Sequence, residues 1–216
     1  MKNVILSIVF AIALAVLILT FSIGLPIYFR PFYYWQIESL NIVNSSGFTF
    51  NEITTAFDQM MHYLTLPGTK FASGVVPYTP EFAAHMADVK VLFNVNLIAL
   101  IVSFTAVVSL FILKRKGLFN LCRPFGMHVA FIPAVCITGL FLVVGVAAAI
   151  APSEAFVIFH DIFFGGENWL FNASSSPVSI LPEQFFLNCG ILILSSVLII
   201  SISIIVFQIV KKVKAK

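Results

Sequence analysis

Charge is scarce in this sequence. Only 10% of its 216 residues are Asp, Glu, Lys or Arg, against about 25% in a typical soluble domain. With 60% hydrophobic residues and a mean hydropathy of +1.06, that scarcity excludes a soluble globular fold and a disordered chain. Cysteine is nearly missing. Cys122, Cys136 and Cys189 form no CxxC pair, so neither a disulfide framework nor a cysteine zinc site is indicated. No HExxH run, GxSxG elbow, P-loop or Rossmann glycine run is present. No internal repeat or low-complexity tract occurs beyond a basic tail, which reads as an orientation signal.

What remains is long apolar runs. Residues 3–29, 91–113, 124–153 and 184–210 carry no charge over 27, 23, 30 and 27 positions. A hydrocarbon core about 30 Å thick needs roughly 20 apolar helical residues. The expected fold is therefore an all-α membrane protein in a single domain, with four transmembrane helices at roughly 4–28, 91–113, 128–151 and 184–210. The first run exceeds a signal-peptide h-region of about 7–15 residues, and no small-x-small cleavage site follows. It reads as a retained helix.

The charges that do occur are sorted by side. Lys2, the loop 114–123 and the tail hold 9 of the 12 basic residues and none of the acidic ones. The loops 30–90 and 152–183 hold Arg30, Lys70 and Lys90 with all 9 acidic residues, a net charge of −6. Positive charge stays cytoplasmic. Both termini are then expected on the cytoplasmic side of the cell membrane, with two extracellular loops. An acidic outer face does not suit nucleic acid.

These loops carry structural signals. Thr49-Phe50-Asn51-Glu52 reads as a capping box. Ile53, Ala56, Phe57, Met60, Met61 and Leu64 recur behind it at helical spacing, and Pro67-Gly68 ends that helix. The aromatic stretch 32–43 suits the headgroup level, as either strand or helix. Thr79 and Pro80 suit an N-cap and first helical residue, and the helix they start runs on into the second span. Between Pro152 and Gly165, Phe156, Val157, Phe159, Phe163 and Phe164 surround His160 and Asp161. That segment is too charged to span and suits an interfacial helix.

Four histidines are the candidates for chemistry. His62 and His128 read as surface and headgroup-level residues. His85 and His160 both flank spans on the outer side, each with a carboxylate nearby. Glu81, His85 and Asp88 are spaced i, i+4, i+7 and share a helix face. Imidazole exchanges protons near neutral pH, so the pair suits general acid/base work, with Glu81, Asp88 or Asp161 as orienting groups. The bland alternative is two unrelated interfacial histidines. Zinc ligation by the same residues is a third reading. Asn94, Asn96, Asn188 and Gln208 lie within spans and are expected to pack against other helices.

Three stretches carry a resemblance. They are SSGFTFNEITTAFDQMMHYL, PEFAAHMADVKVLF and FHDIFFGGENWLF, with ILPEQFF before the last helix. They resemble the lipoprotein intramolecular transacylase (Lit) family of bacterial four-span membrane proteins, and cover most of both outer loops. After Trp169 this chain has LFNASSSPVS, where the family pattern has an acidic segment. The resemblance implies an acyltransferase without a cofactor. Its substrate would be a lipid-modified lipoprotein N-terminus among membrane lipids. The sn-2 acyl chain would move from glycerol oxygen to the cysteine α-amino group, leaving a lyso-form lipoprotein. His85 and His160 would then serve as base and acid in either order, with Lys90, Asn168 and Trp169 as candidate oxyanion donors. A metal-dependent lipid or peptide hydrolase and a non-enzymatic four-span partner protein stand as alternatives. The sequence indicates no oligomeric state.

Overall fold

The structure, a computed structural model, describes residues 3–165, 171 and 176–214. Among these every regular element is helical. In order they are α1 (Val4–Tyr28), α2 (Pro31–Ser39), α3 (Ile42–Ser46), α4 (Phe50–Thr65), α5 (Pro80–Arg115), α6 (Phe131–Ile150), α7 (Pro152–Phe164) and α8 (Glu183–Lys214). Short 3-10 turns lie at Pro124–Gly126 and Ser176–Ser179. Helices α1, α5, α6 and α8 are long and apolar enough to cross a membrane. Their large side chains are mostly exposed, among them Ile12, Val102, Val143 and Ile199, as lipid-facing helices require. The 36 residues of α5 rise about 54 Å at 1.5 Å each. That exceeds a hydrocarbon core of about 30 Å, so α5 is long enough to span while its first turns stand clear of it.

The chain divides into two compact units. The first comprises Met1–Ile23, Asn96–Ala147 and Leu192–Lys216. Its core is Phe10, Leu110, Leu121, Val129 and Ala130. Polar side chains bridge its helices. Asn96 Nδ2 donates to the Thr20 carbonyl at 3.2 Å, and Thr138 Oγ1 to Ser201 Oγ at 2.8 Å. The His128 amide donates to Gln208 Oε1 at 3.2 Å. Such bonds hold polar groups that hydrocarbon would leave unsatisfied.

The second unit comprises Gly24–Val95 and Ala148–Ile191. Here Asn188 Nδ2 donates to Gln36 Oε1 at 2.6 Å, so three of the four polar span residues meet a neighbouring segment. Asn94 does not: it is exposed, and packing gives no account of it. The aromatic stretch after residue 31 is helical, as α2 and α3. Tyr33 on α2 is 1% exposed. Its ring stacks on Phe57 at 3.8 Å and its hydroxyl donates to the Ile180 carbonyl at 2.6 Å.

Helix α4 buries Ile53, Ala56, Phe57, Met60, Met61 and Leu64, the six positions its periodicity marks. Its capping box is complete. The Glu52 amide donates to Thr49 Oγ1 at 3.3 Å, and the Thr49 amide to the Glu52 carboxylate at 2.8 Å. Thr49→Ala should destabilise this helix by about 1 kcal/mol, read as a lowered melting temperature of the detergent-solubilised protein.

Candidate active site

Two helix starts in the second unit position the histidines. At the first, the Phe82 amide donates to Thr79 Oγ1 at 3.3 Å, capping α5 one residue before Pro80. The first turns of α5 bury Phe82, His85 and Met86. At the second, Pro152 opens α7 without a side-chain cap, and Gly165 closes it at φ 62°, a conformation that favours glycine. His160 is the buried residue of α7. Ile158, Phe159, Ile162 and Phe163 point outward.

The rings of His85 and His160 lie with centroids 6.2 Å apart and planes 28° from parallel. Both are nearly enclosed, at 7% and 9% exposure. Phenylalanines surround them. Phe164 meets His85 edge-on at 4.6 Å and His160 at 5.5 Å. Phe171 lies 5.6 Å from His85, and Phe156 lies 4.1 Å from His160. Phe164 follows His160 by one helical turn, a spacing that signals a shared face. Phe171 closes the stretch FHDIFFGGENWLF, but no spacing signal ties it to His85.

The two imidazoles are held differently. His160 Nδ1 is 2.8 Å from the Phe156 carbonyl. A carbonyl only accepts, so Nδ1 carries the hydrogen and, in the neutral ring, Nε2 carries the lone pair. Burial lowers the His160 pKa. The Phe156 carbonyl and Asp161 oppose that shift without overturning it. His85 Nδ1 is buried without a hydrogen-bond partner among the described residues.

The remaining sequence candidates are placed as follows. Glu81 and Asp88 are exposed. The Glu81 carboxylate turns back to Thr79 and its own amide, and neither acid supplies a partner to His85 Nδ1. The reason is angular. Sharing a broad face puts His85 at its buried edge, with Glu81 and Asp88 on the open side. Asp161 is exposed. Lys90 sits 4.2 Å over the Tyr63 ring, and its ammonium donates to Thr69 Oγ1 at 3.3 Å. Asn168 and Trp169 lie outside the described residues. His62 is exposed. His128, in the first unit, has Nε2 3.1 Å from Lys114 Nζ. Among the described residues no three of His, Cys, Asp and Glu gather as metal ligands.

Solved structures share this architecture. The membrane-integral lipoprotein intramolecular transacylase Lit from Bacillus cereus superposes with a TM-score of 0.82, at 22% identity over 96% of each chain. That protein with the H85R mutation gives 0.75 at 22% identity, covering 98% of this chain and 94% of the other. With the H85A mutation it gives 0.73 at 24% identity, covering 96% and 94%. At these identities the likeness speaks for the fold. No curated protein matches the sequence. The family model for the lipoprotein intramolecular transacylase Lit matches residues 8–186. With most of its length inside that match, the chain belongs to the Lit family, whose members are lipoprotein intramolecular transacylases and thus acyltransferases.

Proposed function

We propose that this protein shifts the sn-2 acyl chain of a diacylglyceryl-cysteine lipoprotein from the glycerol oxygen to that cysteine's own α-amino group. The products are an amide and a glycerol hydroxyl on the same molecule. One observation carries the reading: two histidines from separate helices lie 6.2 Å apart in a phenylalanine-lined enclosure. Imidazoles so close can serve one bound group from two sides.

The tautomers suggest the division of work. Nε2 of His160 is the basic nitrogen and takes the proton from the attacking amine. The same proton then passes to the departing glycerol oxygen, so His160 ends neutral and no enzyme-bound acyl group forms. Among the described residues no carbonyl accepts from His85 Nδ1, and the proposed role puts the His85 hydrogen on Nε2. From there a neutral imidazole donates to the developing oxyanion. Holding amine and ester in one site supplies a further part of the rate. The charge asymmetry supports an outer-leaflet site with both termini cytoplasmic, since Lys2, the loop 114–123 and the tail hold 9 of the 12 basic residues.

The direct test is mass spectrometry of a lipoprotein N-terminal peptide from a host lacking other N-acylating enzymes, with and without this chain. Transfer of one acyl chain to the amine at unchanged total mass is expected. A peptide that stays diacylglyceryl with a free amine, despite the protein's presence, would sink the reading. Activity should also persist after chelator treatment of the purified protein. Loss restored by added zinc would favour a metal hydrolase.

The pH profile follows from the sign of the His160 shift. A histidine whose pKa is lowered stays neutral, and basic, further into acid. The α-amino group has a reference pKa of about 8. The rate should therefore climb through pH 7–8 with amine deprotonation. It should show no separate break at the ordinary histidine value of about 6.5, measured as initial rates of N-acylation.

A further inference from the structure

The enclosure around the two histidines bears on which nucleophile receives the acyl chain. An ester carbonyl beside a histidine base can be attacked by an amine or by water, since the base takes a proton from either. At pH 7 only about a tenth of an α-amine with a pKa of about 8 is unprotonated, and bulk water is abundant. Transfer without hydrolysis therefore requires that water be kept from the base. The histidines themselves show such exclusion: both are over nine-tenths buried, and His85 Nδ1 finds neither a solvent surface nor a partner among the described residues.

Phe164 is the phenylalanine that the described contacts place against both rings. It sits at the last residue of α7, before the turn at Gly165. Phe171 extends the wall on the His85 side, where it also packs on Phe82 at 5.2 Å. We propose that Phe164, with Phe171 on the His85 side, is the specificity-determining wall that commits the acyl chain to the amine by keeping water from the carbonyl and the His160 base. This rests on the acyl-shift reading above.

The two outcomes balance differently. In transfer, the amine nitrogen bonds to the carbonyl carbon, the ester carbon–oxygen bond breaks, and the amine proton ends on the glycerol oxygen. In hydrolysis, the oxygen of water makes the new bond. A fatty acid departs, the glycerol oxygen takes a proton from the water, and the amine stays free. The first product keeps the substrate mass; the second loses an acyl chain.

The experiment uses full-length protein in nanodiscs with a synthetic diacylglyceryl-cysteine lipopeptide in oxygen-18 water. Products are read by mass spectrometry. The unaltered protein should give the mass-conserved N-acyl product. Phe164→Ala should raise the ratio of hydrolysed to N-acylated product at least several-fold, with oxygen-18 in the released fatty acid. Phe164→Leu, smaller but still apolar, should fall between. Phe171→Ala should shift the ratio in the same direction, and it carries the test with Phe164→Leu if Phe164→Ala does not accumulate. A ratio that stays constant while both products fall together would mark these residues as structural and overturn the proposal. If the unaltered protein gives no mass-conserved product, the acyl-shift reading falls and takes this one with it. A normal product from the unaltered protein, with unchanged ratios in the variants, removes the wall alone.

Discussion

Replacing His160 with alanine should lower lyso-lipoprotein formation by about 10²–10⁴-fold, the range expected when a positioned general base is removed. The protein should still accumulate in membranes. The described ring contacts of His160 are with His85, Phe156, Phe159 and Phe164, none of them on α2, α4 or α8, so the packing of those helices should survive its loss. His160→Gln should be equally inactive, since an amide cannot take up the amine proton. His85→Ala should also be severely impaired, through loss of a donor rather than of a base. The two variants are separable by pH. With His85 removed, the remaining rate should still rise as the amine deprotonates. With His160 removed, the remaining rate should follow hydroxide, because the solvent must then act as base. Near-normal conversion by His160→Ala would remove the acid/base assignment.

Replacing Tyr33 with alanine should cost the protein stability instead. The ring is fully enclosed, stacked on Phe57 at 3.8 Å and edge-on to Phe185 at 5.1 Å. Truncating a large aromatic in a packed core costs about 3–5 kcal/mol. Its hydroxyl also satisfies the Ile180 carbonyl, and an unpaired buried acceptor adds about 1–3 kcal/mol. Tyr33→Phe isolates that second contribution. The expected order of melting temperatures in detergent is native, then Tyr33→Phe, then Tyr33→Ala. A Tyr33→Ala protein that melts with the native one would show that α2 is dispensable to the second unit. His160→Ala, by contrast, should lose activity while melting near the native temperature, which separates chemistry from folding.

Local chemistry made much of the fold legible. The charge-free runs are long because a helix needs about 20 apolar residues to cross hydrocarbon, and each contains or overlaps a helix of sufficient length. The Thr49–Glu52 box and the six buried positions of α4 are relations within a few residues, set by backbone geometry alone. The same holds for Thr79 and Pro80 at the start of α5. The stretch 32–43 was ambiguous because its aromatic composition suits strand and helix alike, and burial of Tyr33 against Phe57 resolves it as helix.

The candidate site was legible only in part. Proximity to spans selected His85 and His160, but no spacing rule connects residues on different helices. Sequence adjacency suggested Glu81 and Asp88 as partners of His85, whereas in the fold these acids are exposed while the histidine turns inward. Lys90, attractive for its charge, is engaged over Tyr63. These differences share a cause: helical periodicity defines a face, and only packing decides which edge of that face is buried.

The four apolar helices, the sorting of charge between their ends and the starts of α4 and α5 are written in local sequence. All of these depend on neighbours in the chain or on the solvent each segment prefers. Packing in three dimensions puts His85 and His160 in one enclosure, sets Phe164 against both rings, and leaves the His160 hydrogen on Nδ1. The contacts of His85 with His160 and with Phe164 join side chains far apart in sequence. The place of that hydrogen depends on how one buried ring is turned toward the Phe156 carbonyl, a choice of rotamer that the surrounding packing makes.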